Sequence, residues 1–132
     1  MFDYHMHSKF SFDSMTEIED NIIFAIKKGI KYICFTDHID YDFDFLGADS
    51  IFDIDEYFAG INLLKKKYIN TVAIKIGVEF GLQPHIIEKC KRDVEKYSFD
   101  FVIASIHAVD KMDLHVTDYY NLISRYFIHR IY

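Results

Sequence analysis

The sequence predicts an α/β fold in which strand-then-helix units succeed one another around a parallel sheet. Three observations point to it. Four short apolar runs alternate with four helix-period segments, strand first; every run is rich in aromatic or β-branched residues; and each delivers an imidazole or carboxylate at its carboxyl end. The 132 residues, 51% of them apolar, are enough for one ordinary domain with a sizeable core. One Pro, five Gly and the lack of any low-complexity run leave no candidate linker, so residues 1–132 read as a single unit.

The first strand is expected over 1–7. The first helix should begin after Ser14-Met15-Thr16-Glu17-Ile18-Glu19, where two overlapping Ser/Thr-x-x-Glu spacings offer capping boxes, and should stop at Gly29, with Ile18, Ile22, Ala25 and Ile26 inward. A second strand over 31–36 leads into a loop carrying eight acids between Asp37 and Glu56. The second helix runs from about 54 to 68, buries Tyr57, Phe58, Ile61 and Leu64, and ends on the solvated triplet Lys65-Lys66-Lys67, where cations suit the helix dipole. A third strand covers 71–80. In the third helix Pro84 stands near the first turn and Ile86, Ile87, Cys90 and Val94 point inward. A fourth strand over 99–106 and a fourth helix over about 118–131 complete the series. The closing Phe127-Ile128-His129-Arg130-Ile131-Tyr132 has no terminating signal, so an interruption is expected there rather than a finished domain.

The net charge of −6 argues against a surface that tracks nucleic-acid phosphates or an anionic membrane. A small anionic ligand would then depend on bound metal. No segment reaches the roughly 20 apolar residues that cross a bilayer, and the opening Met1-Phe2-Asp3-Tyr4-His5 has no basic region followed by an apolar stretch, so a cytoplasmic protein is expected. Cys34 and Cys90 form no CxxC or framework spacing and read as reduced packing residues.

The chemistry gathers at the strand ends. In Asp3-Tyr4-His5-Met6-His7 the histidines are two apart on a strand and share a face, where they either converge on one metal ion or make polar contacts at the strand end. The second run ends in Thr36-Asp37-His38, the third in Val78-Glu79-Phe80-Gly81 and the fourth in Ser105-Ile106-His107. Carboxyl ends of parallel strands are where β/α barrels build active sites, and ionisable groups are poor packing residues. Asp13, in the first loop, either adds a hard oxygen ligand or serves as a solvated or capping aspartate. Asp37 faces away from His38 if the strand persists, which suits orientation of an imidazole rather than ligation. The acidic run Asp40-Tyr41-Asp42-Phe43-Asp44 is not a calcium loop, because that register puts Phe45 where Gly is needed and Ile51 where the bidentate Glu belongs. It reads as a solvated loop near the mouth. His85, His115 and His129 fall on helix or loop positions and read as surface residues. No serine or cysteine nucleophile with a base partner is evident, and no Gly-x-Ser-x-Gly elbow occurs.

These motifs, in this order, resemble the PHP (polymerase and histidinol phosphatase) superfamily, closest to its histidinol-phosphatase branch, in which an aspartate often stands where Asp13 does. The resemblance implies a distorted, TIM-like (β/α)7 barrel, of which this chain carries the first four βα units. It implies two or three divalent ions, zinc, iron or manganese: His5, His7 and Glu79 on one, Glu79 bridging to a second with His107, and Asp13 with His38 on a third. It also implies that metal-bound water hydrolyses a phosphomonoester such as L-histidinol phosphate, in histidine biosynthesis.

A later histidine and a closing Asp-x-His of that pattern have no match here, and His129 on the fourth helix is no substitute. Residues 1–132 are therefore expected to be a partial PHP domain, with incomplete metal sites, weak metal binding, impaired turnover and open sheet edges through which copies can associate. Two other readings stand beside this one. A PHP-type nuclease or nucleotide phosphoesterase is disfavoured by the acidic surface, and the other is a non-catalytic half-barrel that pairs with another chain.

Overall fold

The elements run β1 (Phe2–Met6), α1 (Ile18–Lys27), β2 (Tyr32–Phe35), β3 (His38–Phe45), β4 (Ala48–Ser50), α2 (Ile54–Lys67), β5 (Ala73–Gly81), α3 (Ile87–Lys96), β6 (Phe101–Ser105), β7 (Ala108–Val109) and β8 (Met112–Asp113). The structure, a computed structural model, describes residues 1–45, 48–109 and 112–114. The four expected strands are β1, β2, β5 and β6, and three of the expected helices are α1, α2 and α3. The fourth helix lies outside the described residues.

The sheet is organised around β5. Its first half pairs in parallel with β2, from Tyr32↔Ala73 to Phe35↔Ile76, and its end pairs in parallel with β3 at His38↔Glu79 and Ile39↔Phe80. The register does not change across Thr36 and Asp37, so β2 and β3 form one line of pairing along β5. β6 pairs with β5 from Gly77↔Phe101 to Gly81↔Ser105, and β1 pairs with β2. All four of these ladders are parallel, as expected for successive βα units. A small antiparallel ribbon, β7 with β8, follows β6.

Alternation along β5 divides its side chains between two faces. Ile74 and Ile76 pack with Ile18, Ile22 and Ala25 of α1, Ile33 and Phe35 of β2, and Tyr57 and Ile61 of α2. Val78 and Phe80 pack with Ile39, Tyr41, Ile54, Ile86 and Cys90. Ile22, Ile61 and Tyr57 are wholly buried, and truncating residues of this kind to alanine costs about 2–5 kcal/mol. The opposite face of β5 carries Gly77, Glu79 and Gly81. Both cysteines are free and buried, as packing residues should be. Among the described residues no helix is long and apolar enough to cross a membrane.

Three expectations need correction. The acidic stretch from His38 onward is not a loop: it forms β3, which pairs antiparallel with β4. Ile39 and Tyr41 alternate with His38 and Asp40, and the intervening acids mask this two-residue period. The capping boxes of α1 do not form. Glu17 is the cap residue without a side-chain cap bond; it pairs with Lys9, and the Ser14 hydroxyl donates to the His7 carbonyl. In α2, by contrast, Asp53 caps by accepting from the Glu56 amide. On α3, Ile86 and Cys90 point inward, but Ile87 and Val94 are 49% and 42% exposed, because the packed line continues through Asp93, whose carboxylate accepts from the Tyr41 hydroxyl. Gly29 ends the first helical segment as expected, with φ of 73°. The Lys65–Lys67 triplet stays on the solvent side as expected, with the 60% exposed Lys67 making a surface ion pair with Glu19.

Candidate metal centre

β1 delivers His5 and His7 to the carboxyl end of the sheet. Their Nε2 atoms lie 2.7 and 3.2 Å from one oxygen of Glu79, Oε2. The other oxygen, Oε1, accepts from the Ser105 hydroxyl at 2.6 Å and lies 3.2 Å from His107 Nε2. Glu79 is only 4% exposed, so its charge is compensated from the two strands that flank it and from β1.

His38, the rung partner of Glu79, stands between the two sides. Its ring centroid is 4.4 Å from that of His7 and 4.8 Å from that of His107, with Phe12 against it at 5.0 Å. Asp13 enters from the loop after β1: its Oδ2 is 2.9 Å from His7 Nδ1 and 3.5 Å from His38 Nε2. The loop is held by Asp37, whose buried carboxylate accepts from the Ser8 amide and from the Ser8 and Ser11 hydroxyls. Asp37 does face away from His38, but it anchors a loop instead of orienting an imidazole.

Three groups of side chains present ligand atoms that lie within 4.8 Å of one another: His5, His7 and Glu79; His7, Asp13 and His38; and His38, Glu79 and His107. All six expected ligands therefore meet at one rim. They line a cavity of about 440 Å³ together with Phe12, Phe43 and Asp113. Phe43 reaches it because Asp42, at φ 54°, and a register irregularity between Asp40 and Asp44 break the alternation of β3.

The electrostatics follow from this crowding. His7 is raised to about 9, chiefly by its hydrogen bond to Glu79, against the opposing effect of burial and with help from Asp13. His107 is raised to about 9, first by Asp40 and then by Glu79. Burial is the largest single influence on Glu79 and pushes it up, yet the bonds from His107, His7 and Ser105 together hold it well below the usual carboxylate range. Burial pushes His38 down, more than Glu79 draws it up. In the metal-free protein, then, protons on His7 and His107 supply the positive charge that the Glu79 carboxylate demands.

Sequence reasoning missed Asp40, Ser105, Phe43 and Asp113. Ser105 sits two residues before His107, the spacing of the His5/His7 pair, and this was the signal available for it. His85 pairs with Asp42 at the surface, away from the rim. His115 and His129 lie outside the described residues.

Comparison with known proteins gives consistent findings. A family model described as "PHP domain" matches residues 3–131. The histidinol-phosphatase of Lactococcus lactis subsp. lactis is 37% identical over 113 residues, spanning 86% of this chain and 41% of that protein. The probable histidinol-phosphatase of Clostridium acetobutylicum is 39% identical over 115 residues, 87% of this chain and 42% of that protein. A crystal structure of the Lactococcus lactis histidinol phosphate phosphatase complexed with zinc, L-histidinol and phosphate superposes with a TM-score of 0.83 at 35% identity, covering 88% of this chain and 43% of that one. The chain spans about two fifths of the length of the relatives it matches.

Proposed function

The chain belongs to the PHP domain family, and from that premise we propose that it serves metal-dependent phosphomonoester hydrolysis, with L-histidinol phosphate as substrate, in the cytoplasm. The metal ligands proposed are His5, His7, Asp13, His38, Glu79 and His107. One observation carries the reading: the two oxygens of a single buried Glu79 face separate imidazoles, His5 and His7 on one side and His107 on the other.

The donor set fits divalent zinc, iron or manganese, since mixed imidazole and carboxylate ligands suit those ions. Each group offers three protein ligands, the number used by catalytic zinc sites that keep an open position. A neutral imidazole gives one lone pair to one ion, and His7 and His38 each belong to two groups. Five of the six side chains would therefore make up two three-ligand sites that share Glu79, and a third ion near Asp13 would have to draw on His7 or His38.

Bound ions would supply Lewis acidity to a phosphate oxygen and a water whose pKa falls to about 7. The chain's own side chains do the rest. Asp13, Glu79 and Asp113 make the cavity acidic, so a phosphate dianion enters only against a compensating cation. Ser105 fixes the Glu79 carboxylate, Asp37 fixes the loop that carries Asp13, and Phe12 and Phe43 exclude water from one wall. The cysteines are poorly placed as nucleophiles: Cys34 and Cys90 are buried, and burial pushes their thiols up to about 12 and 11.

We read residues 1–132 as the first portion of a PHP domain. β1 and β6 each pair on one side only among the described strands, and such edges favour association with a second copy, which sedimentation velocity would register. The direct experiment replaces the matching portion of the Lactococcus lactis relative with this chain. The chimera should release phosphate from L-histidinol phosphate with zinc or manganese and lose that activity with Glu79→Ala, whereas the isolated chain turns over very slowly or not at all. A folded, metal-loaded chimera inert toward that substrate would refute the proposal.

A further inference from the structure

We propose that Asp40 is a positioning residue for this centre: its carboxylate orients the His107 ring through Nδ1, so that this ring aims Nε2 at Glu79, and its other oxygen faces the His38 ring. The inference rests on the metal-binding reading above and extends it to a residue outside the ligand set.

The geometry is specific. Asp40 lies two residues after His38 on β3, on the same face, and is 2% exposed. Its Oδ1 is 2.8 Å from His107 Nδ1. Among the described residues, its Oδ2 and His38 Nδ1 are both buried atoms without a hydrogen-bond partner, and they lie 3.8 Å apart. The opposite edge of the His107 ring points into the cluster, with Nε2 3.2 Å from Glu79 Oε1; His38 Nε2 is 3.5 Å from Asp13 Oδ2, and its Nδ1 stands between Asp40 and Glu79, 3.9 Å from Glu79 Oε2. A carboxylate accepting from Nδ1–H leaves Nε2 with its lone pair free, the tautomer a metal ligand requires.

Gly81 supplies a second, independent observation. A Cβ at this position would sit 1.6 Å from Asp40 Oδ1 and 2.8 Å from His107 Nδ1. The Asp40–His107 contact thus occupies the space that any side chain at position 81 would fill. β5 delivers Glu79 to the rim and two residues later leaves room for the pair that orients its neighbour.

The test uses the intact chain and two readouts. Long-range ¹⁵N correlation on the metal-free protein at alkaline pH, where imidazoles are neutral, should find the His107 proton on Nδ1. Zinc affinity, measured by competition with a chromophoric chelator, should fall about 10–100-fold in Asp40→Ala, with the His107 proton redistributed between its nitrogens. Asp40→Asn keeps an acceptor oxygen and should recover most of the affinity. Gly81→Ala should mimic Asp40→Ala, and it decides the matter if Asp40→Ala fails to fold by circular dichroism. A proton found on Nε2 in the parent protein, or unchanged zinc affinity and tautomer in Asp40→Ala and Gly81→Ala, overturns the proposal. A parent protein that takes up no zinc sinks the metal reading, while the tautomer measurement still judges Asp40.

Discussion

His5 Nε2 stands 2.7 Å from Glu79 Oε2 across 74 positions of sequence, so the first strand and the central strand are tied at their tips by one carboxylate. His7 shares the same oxygen, and its hydrogen bond to Glu79 is the main reason its pKa is raised. In metal-free Glu79→Ala the His7 titration should therefore fall from about 9 to near or below its ordinary 6.5, because burial then acts with less opposition. His107 should fall less, since Asp40 supports it first. NMR titration of the ring protons reads both; an unmoved His7 contradicts this electrostatic account.

Stability without metal should depend on pH in a definite direction. His7 and His107 titrate near 9 in the folded chain and near 6.5 when unfolded, so the folded state binds protons more tightly. Their stabilisation is complete below pH 6.5 and is lost as pH rises through about 9. The loss should be roughly 1–3 kcal/mol, shared by two rings on one carboxylate. Urea midpoints of chelator-treated protein should fall across that window; a flat or rising profile would count against it.

Metal binding should expel those protons. Ligating imidazoles must be neutral, so zinc uptake at pH 7 should release about two protons per chain, from His7 and His107, and fewer above pH 9. His38, already held low by burial, adds none. Calorimetry in buffers of differing ionisation enthalpy counts them, and zinc binding with no proton release at pH 7 would exclude these two rings as ligands.

Asp37→Ala removes the acceptor for the Ser8 amide and for the Ser8 and Ser11 hydroxyls. Leaving such buried donors unpaired should cost about 2–4 kcal/mol in chemical denaturation. It should also weaken metal binding through Asp13, whose loop Asp37 anchors. A variant as stable as the parent would show that the loop holds itself.

Much of this was legible in the sequence because strands with helical partners carry a strong apolar signal. Glu79 and His107 could be placed from the ends of such runs, and His5 and His7 from their two-residue spacing. β3 was not legible in the same way. Its Ile39-Tyr41 alternation is diluted by acids that look solvated, and only the tertiary fold shows Asp40 buried against His107. The capping of α1 failed for a related reason. Ser14 and Glu17 have the right spacing, but tertiary partners, the His7 carbonyl and Lys9, compete for them. Asp37 points away from His38, as strand alternation implies, but its partners are Ser8 and Ser11, because alternation shows which way a side chain points and not which loop folds beneath it.

The most direct measurement is a crystal structure of the zinc-loaded chain with anomalous data at the zinc edge. Zinc should lie within about 2.0–2.2 Å of Glu79 carboxylate oxygens and of imidazole nitrogens from His5 and His7 on one side and His107 on the other. Zinc found only at other sites, with Glu79 still closed upon its histidines, would contradict it.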